Sequence, residues 1–265
     1  MPPPAVAVRK RAASADGEQR GRWYRRRPPR STRTRRDRVR TLISTVSRVA
    51  PARIVAVAEW DSRDHRSSRG VATIDEHENL CNWIHLPVQS GSDRVLSAMR
   101  RGHTAGDYLK RIEAVRKARR QMAITSDIIV GFPGETSDDF AATVKLVEQV
   151  GYDALYIFKY SERKGTPAAS LADDVSPEEK AERFARLENV QRQFQKRLYD
   201  SYVGRELSVL VERESSKSRS DMSGHSTCHK VVNFPGNKSL LGTIVNVRVT
   251  AAKQNSLYGE VISAP

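Results

Sequence analysis

The sequence predicts an α/β protein that is followed by a small all-β barrel. Three short apolar runs, at 84–91, 124–135 and 152–168, each end in Gly, Pro, Ser or charged residues. The first two runs are followed by helical periodicity and the third by a long helix, which is typical of parallel strands joined by crossover helices. After Gly204 the pattern changes to short strands separated by Gly, Asn and Pro turns, and this indicates a β-barrel.

The net charge of +15 is concentrated at the start of the chain. Residues 1–70 hold 18 Arg and 1 Lys against 6 acidic residues, a net charge of +13, whereas the remaining 27 basic and 25 acidic residues give +2. A strongly basic arm predicts an anionic partner, most simply RNA, and the alternative is a solvated disordered tail. We therefore interpret residues 1–73 as a basic segment that is disordered or non-native.

Composition also excludes several classes of protein. The sequence has no run of about 18 apolar residues and no apolar core of a signal peptide, so a cytoplasmic location is expected. Only two cysteines are present, Cys81 and Cys228, which excludes a disulfide scaffold and a Cys-rich metal motif. His225, Cys228 and His229 fall short of a structural zinc site, so no metal site is predicted.

The elements from residue 74 onward are predicted from caps and periodicity. Ser92 caps a short helix that Gly102 terminates, and Thr104 with Asp107 resembles the capping box of a second helix with an apolar face of Tyr108, Ile112 and Val115. The parallel sheet and its connections are predicted to comprise strand 80–88, strand 124–130, turn 131–134, helix 136–150 and strand 152–160.

A long helix is predicted to start at Ser176, which is followed by Pro and two Glu, and to continue to about residue 202. Its length is roughly 40 Å, and its apolar stripe consists of Phe184, Leu187, Phe194 and Leu198. The barrel strands are predicted at 206–212, 230–234, 241–250 and 257–262, with a polar loop between the first two.

Ligands of parallel sheets bind beyond the carboxyl ends of the strands. The polar residues at these ends are Gln89, Ser90, Glu135, Ser161 and Arg163. The turn 131–134 lets backbone approach a ligand, and the next helix offers free N–H groups, so a phosphate- or nucleotide-like site is one interpretation and a plain turn is the other. Glu135 is expected either to bind a ligand or to favour the helix N-terminus.

Several motifs carry a resemblance to the tRNA methylthiotransferases, in particular the type that acts on isopentenyl-adenosine next to the anticodon. The motifs are HLPVQSGSDRVLSAMRRG, DIIVGFPGET and FKYSERKGTPA, followed by a tail that begins VGRELSVLVE and ends NSLYGEVI. The resemblance covers about residues 74–265. It implies that 74–203 is the last three βα units of a partial radical-SAM (β/α) barrel with a long C-terminal helix, and that 204–265 is a TRAM barrel.

The resemblance also implies cofactors, partner and site residues. The family binds S-adenosylmethionine and [4Fe–4S] clusters and modifies tRNA. By this resemblance, Gln89 and Ser90 are expected to lie near the cofactor. Ile129, Val130 and Gly131 are expected to flank its adenine. Residues 158–161, including Phe158 and Ser161, are expected to close the cofactor site. The family's CxxxCxxC motif and its N-terminal cluster domain are absent from this sequence, and a [4Fe–4S] cluster needs about three or four thiolates. The chain alone is therefore not expected to cleave S-adenosylmethionine.

Three functional hypotheses stay open at this stage. The first is methylthiolation of a tRNA adenosine by radical chemistry, with this chain as the product of a truncated or frameshifted gene. The second is a catalytically dead RNA-binding fragment, in which the basic arm is a genuine addition. The third is a sister enzyme that acts on another modified adenosine or on a ribosomal protein. The sequence leaves the oligomeric state open.

The barrel offers its own candidates for RNA binding. Positive charge for phosphates is expected from Arg205, Lys230, Lys238, Arg248 and Lys253, and hydrogen bonds to sugars or bases from His225, His229 and Asn233. Phe234 and Tyr258 are interpreted as core residues in preference to base-stacking residues. In the part of the chain before the barrel, we expect His85 to be a hydrogen-bonded core residue, His103 to lie at the surface, and Asp173 and Asp174 to be solvated.

Overall fold

The computed structural model describes residues 67–77, 80–163, 165–216, 218 and 220–263, all of which lie in one compact unit that spans Val49–Pro265. The predictions for residues 1–66 lie outside these ranges. The prediction that the disordered or non-native segment extends to residue 73 was wrong, because residues 67–73 belong to a helix that spans Ser67–Glu76. None of the helices in the described ranges has the length and apolar character that a membrane crossing requires.

The first part of the fold is a parallel three-stranded sheet with its helices. The strands lie in the order β1-β2-β3, and Gln89 extends the pairing through a bridge to Ile128. We refer to this part as the sheet unit. Its elements are α1 (Ser67–Glu76), β1 (Trp83–His85), α2 (Asp93–Ala98), α3 (Ala105–Arg116), β2 (Ala123–Val130), α4 (Ser137–Val150), β3 (Ala154–Lys159), a 3₁₀ turn (Pro167–Ser170) and α5 (Pro177–Asp200).

The helices begin where their caps predicted. Ser92 accepts a hydrogen bond from the Val95 amide, and Ser176 caps α5 in the same way with Pro at the first helical position. Thr104 forms a complete capping box with Asp107, as predicted. Such caps contribute about 1 kcal/mol each, which explains why local spacing alone located these helix starts.

The buried face of α5 differs from the predicted apolar stripe. Of the four predicted residues only Leu187 is fully buried, and the other buried positions of this helix are Lys180, Arg183, Gln191 and Tyr199. These polar groups find partners on the sheet unit, since the Gln191 amide donates to the Tyr152 carbonyl at 2.9 Å and Arg183 donates to Glu135. Hydrogen-bonded polar groups are tolerated in a core. The prediction that the apolar stripe forms the buried face of α5 was therefore wrong.

The second part of the fold is a closed five-stranded barrel, as the resemblance implied. Its strands are β4 (Glu206–Glu214), β5 (Asp221–Ser226), β6 (Val231–Pro235), β7 (Ile244–Ala252) and β8 (Leu257–Ser263), with a 3₁₀ turn at Lys238–Leu240. They lie in the order β4-β5-β6-β8-β7, and β7 closes the barrel by pairing with β4. The core contains Phe234, as predicted, whereas Tyr258 is only half-buried.

Strand β5 was predicted as a polar loop, and that prediction was wrong. Its sequence, DMSGHS, has a single large apolar residue, Met222, which enters the core. Gly224 lies opposite Val211, and a Cβ at Gly224 would overlap the Leu210 carbonyl. The strand therefore forms through pairing and close backbone approach, which leave a weak hydrophobic pattern in the sequence.

The two faces of the parallel sheet differ in burial. On the face covered by the helices, Ile124, Ser126, Ile128 and Val130 of β2 are buried, and α5 packs on β2 and β3. The other face carries the exposed side chains of Tyr156 and Phe158, which we call the open face of the sheet. Sheets made only of parallel strands usually have both faces covered, so the open face is an unusual feature.

The barrel packs against the amino ends of the sheet strands. Lys230 is 3% exposed and forms an ion pair with Asp153 at 2.5 Å, and Asp153 also accepts a hydrogen bond from the Ile124 amide. Trp83 and Ala123, the first residues of β1 and β2, belong to the core cluster of the barrel. The barrel therefore lies at the edge of the sheet opposite to the carboxyl ends.

We expect Lys230→Met to destabilise the protein by about 3 kcal/mol, because it leaves the carboxylate of Asp153 without its partner in a largely buried position. Urea unfolding measures this change. Lys230→Met combined with Asp153→Asn should recover part of the loss. The control is Lys196→Met, which removes an exposed ion pair to Asp200 and should cost at most about 0.5 kcal/mol. Equal effects of the two single variants would contradict the assigned role of Lys230.

Asp139 joins helices α2 and α4 of the sheet unit. Its carboxylate accepts hydrogen bonds from Ser92 at 2.6 Å, from Thr136 and from the guanidinium of Arg94. Burial raises the pKa of Asp139, but these hydrogen bonds outweigh burial and hold the pKa well below its usual value. The charged form is therefore favoured by folding, and its contribution to stability is present above the unfolded-state pKa of about 4.

This contribution is lost as the pH falls below about 4, because the unfolded state then takes up a proton that the folded state rejects. We expect Asp139→Asn to be less stable than the parent at neutral pH, by at least about 1 kcal/mol. The difference should shrink between about pH 5 and about pH 3. Urea midpoints of both proteins across this range measure it, and parallel pH profiles would show that Asp139 is not the group responsible.

Candidate functional site

The carboxyl ends of the sheet strands meet at one edge. The Gln89 amide donates to the Asp127 carbonyl at 2.9 Å, and the Gln89 carbonyl accepts from the Ile129 amide at 2.9 Å. Ile129 lies beside Phe158 in the register of β2 and β3. The sequence therefore predicted correctly that these segments end at the same edge of one sheet.

Two of the predicted cofactor residues, Ile129 and Phe158, lie beside each other on the open face at this edge. The Phe158 side chain is 51% exposed and Ile129 is half-buried, whereas Gln89, which has a left-handed backbone with φ of 78°, is only 7% exposed. Exposed apolar side chains of this kind suit the stacking that the adenine of S-adenosylmethionine requires.

The other predicted cofactor residues have different surroundings. Val130 is fully buried on the helix-covered face, so its side chain points away from Ile129. Ser90 is also fully buried, and its hydroxyl lies 3.2 Å from the Thr143 hydroxyl. Ser161 is exposed, beyond the end of β3. Side-chain contacts to a ligand on the open face are thus available to Ile129 and Phe158, whereas Gln89 is 7% exposed and Val130 is fully buried.

The turn 131–134 holds internal hydrogen bonds in the places where an anion would bind. The Gly131 amide donates to the Glu135 carboxylate at 2.7 Å, and the Gly134 amide donates to Asp174 at 2.6 Å. At the start of α4 the Thr136 amide donates to Asp139. The interpretation of this turn as a phosphate site was therefore wrong, because the carboxylates of the chain already satisfy these donors.

The space in front of Gly131 is also filled. A Cβ at Gly131 would overlap Cγ of Lys180, whose ammonium binds Asp173 at 2.5 Å. The glycine, with φ of 69°, thus allows the close packing of a lysine from α5. Asp173 and Asp174 are both exposed, as predicted, and in addition Asp173 pairs with Lys180 and Asp174 accepts a hydrogen bond from the turn at Gly134.

Glu135 is engaged within the protein. Its carboxylate is fully buried and lies 2.6 Å from the Arg183 guanidinium, which also donates to the Glu135 carbonyl and to Glu179. Burial raises the pKa of Glu135, although its hydrogen bonds to Gly131 and Arg183 oppose the shift. The expectation that Glu135 binds a ligand has no support in this geometry, and its role is to hold the turn to α5.

His85 and His103 differ in how they are held in the sheet unit. His85 is largely buried, with Nδ1 3.0 Å from the Thr125 hydroxyl and Nε2 3.5 Å from Asp127, so the prediction of a hydrogen-bonded residue is confirmed. His103 is 7% exposed, so the prediction of a surface position was wrong. Burial and the positive charge of Arg111 lower the pKa of His103, which keeps this imidazole neutral at pH 7.

The thiols do not form a cluster site. Cys81 and Cys228 are both buried and neither forms a disulfide, and Cys228 lies near the hydroxyls of Ser226 and Tyr202 in the barrel. Within the described ranges, no three His, Cys, Asp or Glu residues are grouped as metal ligands would be. Two buried thiols cannot supply the ligands of a [4Fe–4S] cluster, so the residues present do not fit that group.

The predicted RNA-binding residues of the barrel divide into two sets. Arg205 and Arg248 are exposed, Asn233 is half-buried, and the Arg248 guanidinium pairs with Glu206 at 2.8 Å. Lys230 is buried against Asp153, so we withdraw it as a phosphate ligand. The His229 ring stacks on Trp83 of the sheet unit at a centroid distance of 3.7 Å, and the His225 ring stacks on His229 at 4.8 Å.

The family comparisons match both parts of the chain. The Radical SAM superfamily model matches residues 65–147, and the TRAM domain model matches residues 200–262. These matches confirm the resemblance seen in the strand-end motifs and in the barrel.

Curated relatives carry the same name as one another. The "tRNA-2-methylthio-N(6)-dimethylallyladenosine synthase" of Alkalilimnicola ehrlichii is 48% identical over 187 residues, which cover 71% of this chain and 42% of that protein. The synthase of Pseudoalteromonas translucida is 46% identical over 183 residues, or 69% of this chain and 38% of that protein. The chain thus spans about two fifths of the length of these relatives.

Solved structures give more distant matches. Methylornithine synthase is 15% identical with a TM-score of 0.44, over 59% of this chain and 44% of that one. Coproporphyrinogen III oxidase from Escherichia coli, described as a radical SAM enzyme, is 16% identical with a TM-score of 0.48, over 85% of this chain and 56% of that one.

The chain carries a segment that the Radical SAM superfamily model matches, followed by a segment that the TRAM domain model matches, and it is similar to curated tRNA methylthiotransferases over about two fifths of their length.

Proposed function

We propose that this chain is the tRNA-anchoring part of a tRNA methylthiotransferase, which binds RNA with its closed barrel and the adenosine end of S-adenosylmethionine at the strand edge. The observation that carries the proposal is a closed barrel, matched by the TRAM model, that docks through a buried ion pair on a sheet matched by the Radical SAM model. The relatives' name supplies the substrate, a dimethylallyladenosine of tRNA.

The RNA-binding surface that we propose is the outer side of the barrel. Arg205 and Arg248 present exposed guanidinium groups, which suit phosphate contacts. The pair between Arg248 and Glu206 is exposed on both sides and contributes about 1 kcal/mol or less, so RNA can displace Glu206 at little cost. Asn233 and the half-buried Tyr258 lie beside each other on neighbouring strands, where they offer hydrogen-bonding groups.

At the strand edge, we propose that Phe158 and Ile129 stack on the adenine, and that the buried Gln89 shapes this edge through its backbone hydrogen bonds to Asp127 and Ile129. When bound together with a reduced [4Fe–4S] cluster, S-adenosylmethionine supplies radical chemistry in this superfamily. The residues of this chain bind and orient the nucleoside part, and Glu135 with Arg183 holds the neighbouring turn in place. Thiolate ligands for the cluster have to come from outside these 265 residues, which contain only Cys81 and Cys228.

The barrel's part in RNA binding is tested with the full chain and a tRNA anticodon stem-loop, by titration at about 50 and about 200 mM salt. Each phosphate contact contributes a slope of about 0.9 in log affinity against log salt. We therefore expect Arg205→Ala with Arg248→Ala to weaken binding and to reduce the slope by up to about 2. The control is Lys145→Ala, on the exposed side of α4 and away from the barrel.

All of these proteins keep the basic arm of residues 1–70, so its contribution is the same in each. An unchanged slope in the double variant would assign RNA binding to the arm and would contradict the proposed role of the barrel.

The cofactor edge is tested by calorimetric titration with S-adenosylhomocysteine, which needs no cluster. We expect Phe158→Ala to lower the affinity roughly tenfold, because the adenine loses one stacking surface. The control is Tyr156→Ala, which removes a similarly exposed aromatic ring two residues earlier on the same face of β3. Absence of binding by the parent chain, or an equal loss in both variants, would overturn the proposed site.

A further inference from the structure

We propose that Trp83, His229 and His225 form a stacking ladder on which one unpaired nucleobase of the bound RNA stacks, at the face of His225 that points away from His229. This inference rests on the proposed RNA-binding function and names one of its contacts. The ligand is a base and not a phosphate, and the residue that touches it is His225.

The ladder is preorganised at its inner end. Trp83 is 8% exposed, and its indole N–H donates to the Thr125 hydroxyl at 3.0 Å, which holds the ring in one orientation. The His229 ring lies parallel to it, with an interplanar angle of 4°. The pKa of His229 is lowered to about 4, mainly by burial and also by the nearby His225 and Lys230, so this ring is uncharged at neutral pH.

The backbone of His229 supports a role beyond ordinary packing. Its φ is 60°, a left-handed conformation that costs a residue with a side chain free energy and that usually occurs where the surrounding structure holds it. The neighbouring Lys230 is anchored by Asp153, and the Ser226 carbonyl accepts a hydrogen bond from the His229 amide. These contacts hold the histidine ring between Trp83 and His225.

His225 is the outer member of the ladder. One face of its ring is covered by His229 at an interplanar angle of 16°, and its Nδ1 lies 2.7 Å from the Glu212 carboxylate. The side chain nevertheless keeps 27% of its surface exposed. A ring that is covered on one face and held at one edge exposes its second face, and a base that stacks there loses little entropy on the protein side.

Glu212 indicates the chemistry of the ligand. Its carboxylate is 38% exposed beside the ring and would repel a phosphate, but it accepts hydrogen bonds from the exocyclic amines of bases. The cavity beside the ladder is lined by Cys81, Ser208, Leu210 and Thr227, a mixture of apolar and hydroxyl groups. We therefore assign this position to an unstacked adenine, cytosine or guanine of a single-stranded loop.

The ladder crosses the junction between the sheet unit and the barrel, because Trp83 belongs to β1 and both histidines belong to the barrel. A base stacked on His225 extends a column of rings whose inner end is buried in the sheet unit. RNA binding is thereby coupled to the docking of the barrel.

The test is a double-mutant cycle between the full chain and a tRNA anticodon stem-loop in which loop nucleotides are replaced singly by abasic sites. We expect His225→Ala to weaken binding of the intact RNA by about 5- to 150-fold, the range for loss of one base stack. One abasic position should cause a similar loss with the parent chain and no further loss with His225→Ala. The matched variant His225→Phe keeps a stacking ring and should retain most of the affinity.

The salt dependence of binding and the urea midpoint distinguish a loss of stacking from a loss of charge contacts and from a folding defect. The effect of His225→Ala should persist between about 50 and about 200 mM salt, whereas phosphate contacts weaken steeply over that range. Equal urea midpoints of the parent and His225→Ala exclude a folding defect as the cause of weaker binding. If the urea midpoints differ, the double-mutant cycle decides. The proposal is overturned if the affinity loss caused by each abasic site adds fully to the loss caused by His225→Ala, because no site then shares its contact with His225.

Two failures are distinguishable. If the parent chain binds the stem-loop and His225→Ala binds it equally well, only the stacking ladder is refuted. If the parent chain does not bind the stem-loop, the proposed RNA-binding function fails together with the ladder.

Discussion

The ion pair between Lys230 and Asp153 sets the relation between the two parts of the fold. Both side chains are largely buried, and Asp153 is held in turn by the Ile124 amide at the start of β2. Because one partner is in the barrel and the other precedes β3, the pair fixes the barrel at the amino ends of the strands. Strand β2 has eight residues and is about 23 Å long, so the RNA-binding barrel and the proposed cofactor edge are separated by roughly that distance. An RNA that engages both has to extend along the protein over at least this length.

We propose that the open face of the sheet is a ligand-binding surface. Two exposed aromatic side chains, Tyr156 and Phe158, project from a parallel strand that would ordinarily be covered on both faces. Phe158 lies in register with Ile129, so the apolar surface coincides with the edge where ligands of such sheets bind. The turn that follows β2 packs against this edge through the contacts of Lys180 and Arg183 from α5. The Gly131 and Gly134 amides of that turn are occupied and Gln89 is buried, which leaves stacking on Phe158 and Ile129 as the proposed means of recognition.

The sequence was most informative where structure depends on neighbouring residues. The caps at Ser92, Thr104 and Ser176 depend on groups within one helical turn, so spacing alone predicted them. Strand β5 escaped prediction because its polar residues are held by pairing with β4 and β6. The burial of Lys180, Arg183, Lys230 and His103 also escaped prediction, because the partner or the covering group of each lies elsewhere in the chain. For the site, the motifs located the edge of the sheet correctly, but the direction of Val130 and the hydrogen bonds of Glu135 required the register and the packing.

The residues of this chain that we propose for binding differ in kind from the ligands that radical chemistry requires. The surfaces proposed for adenine and for RNA consist of aromatic rings, amides and guanidinium groups that this chain supplies itself, whereas a [4Fe–4S] cluster needs thiolates that two buried cysteines cannot provide. Recognition and radical chemistry therefore reside in different sets of residues, and only the first set is present in these 265 residues. The ladder of Trp83, His229 and His225 belongs to the first set as well. His229 joins the barrel to the sheet by stacking on Trp83, and His225, which stacks on His229, is the ring that we propose to receive a base. The junction itself is formed by side chains of this chain, the stacked pair of Trp83 and His229 and the ion pair of Lys230 and Asp153.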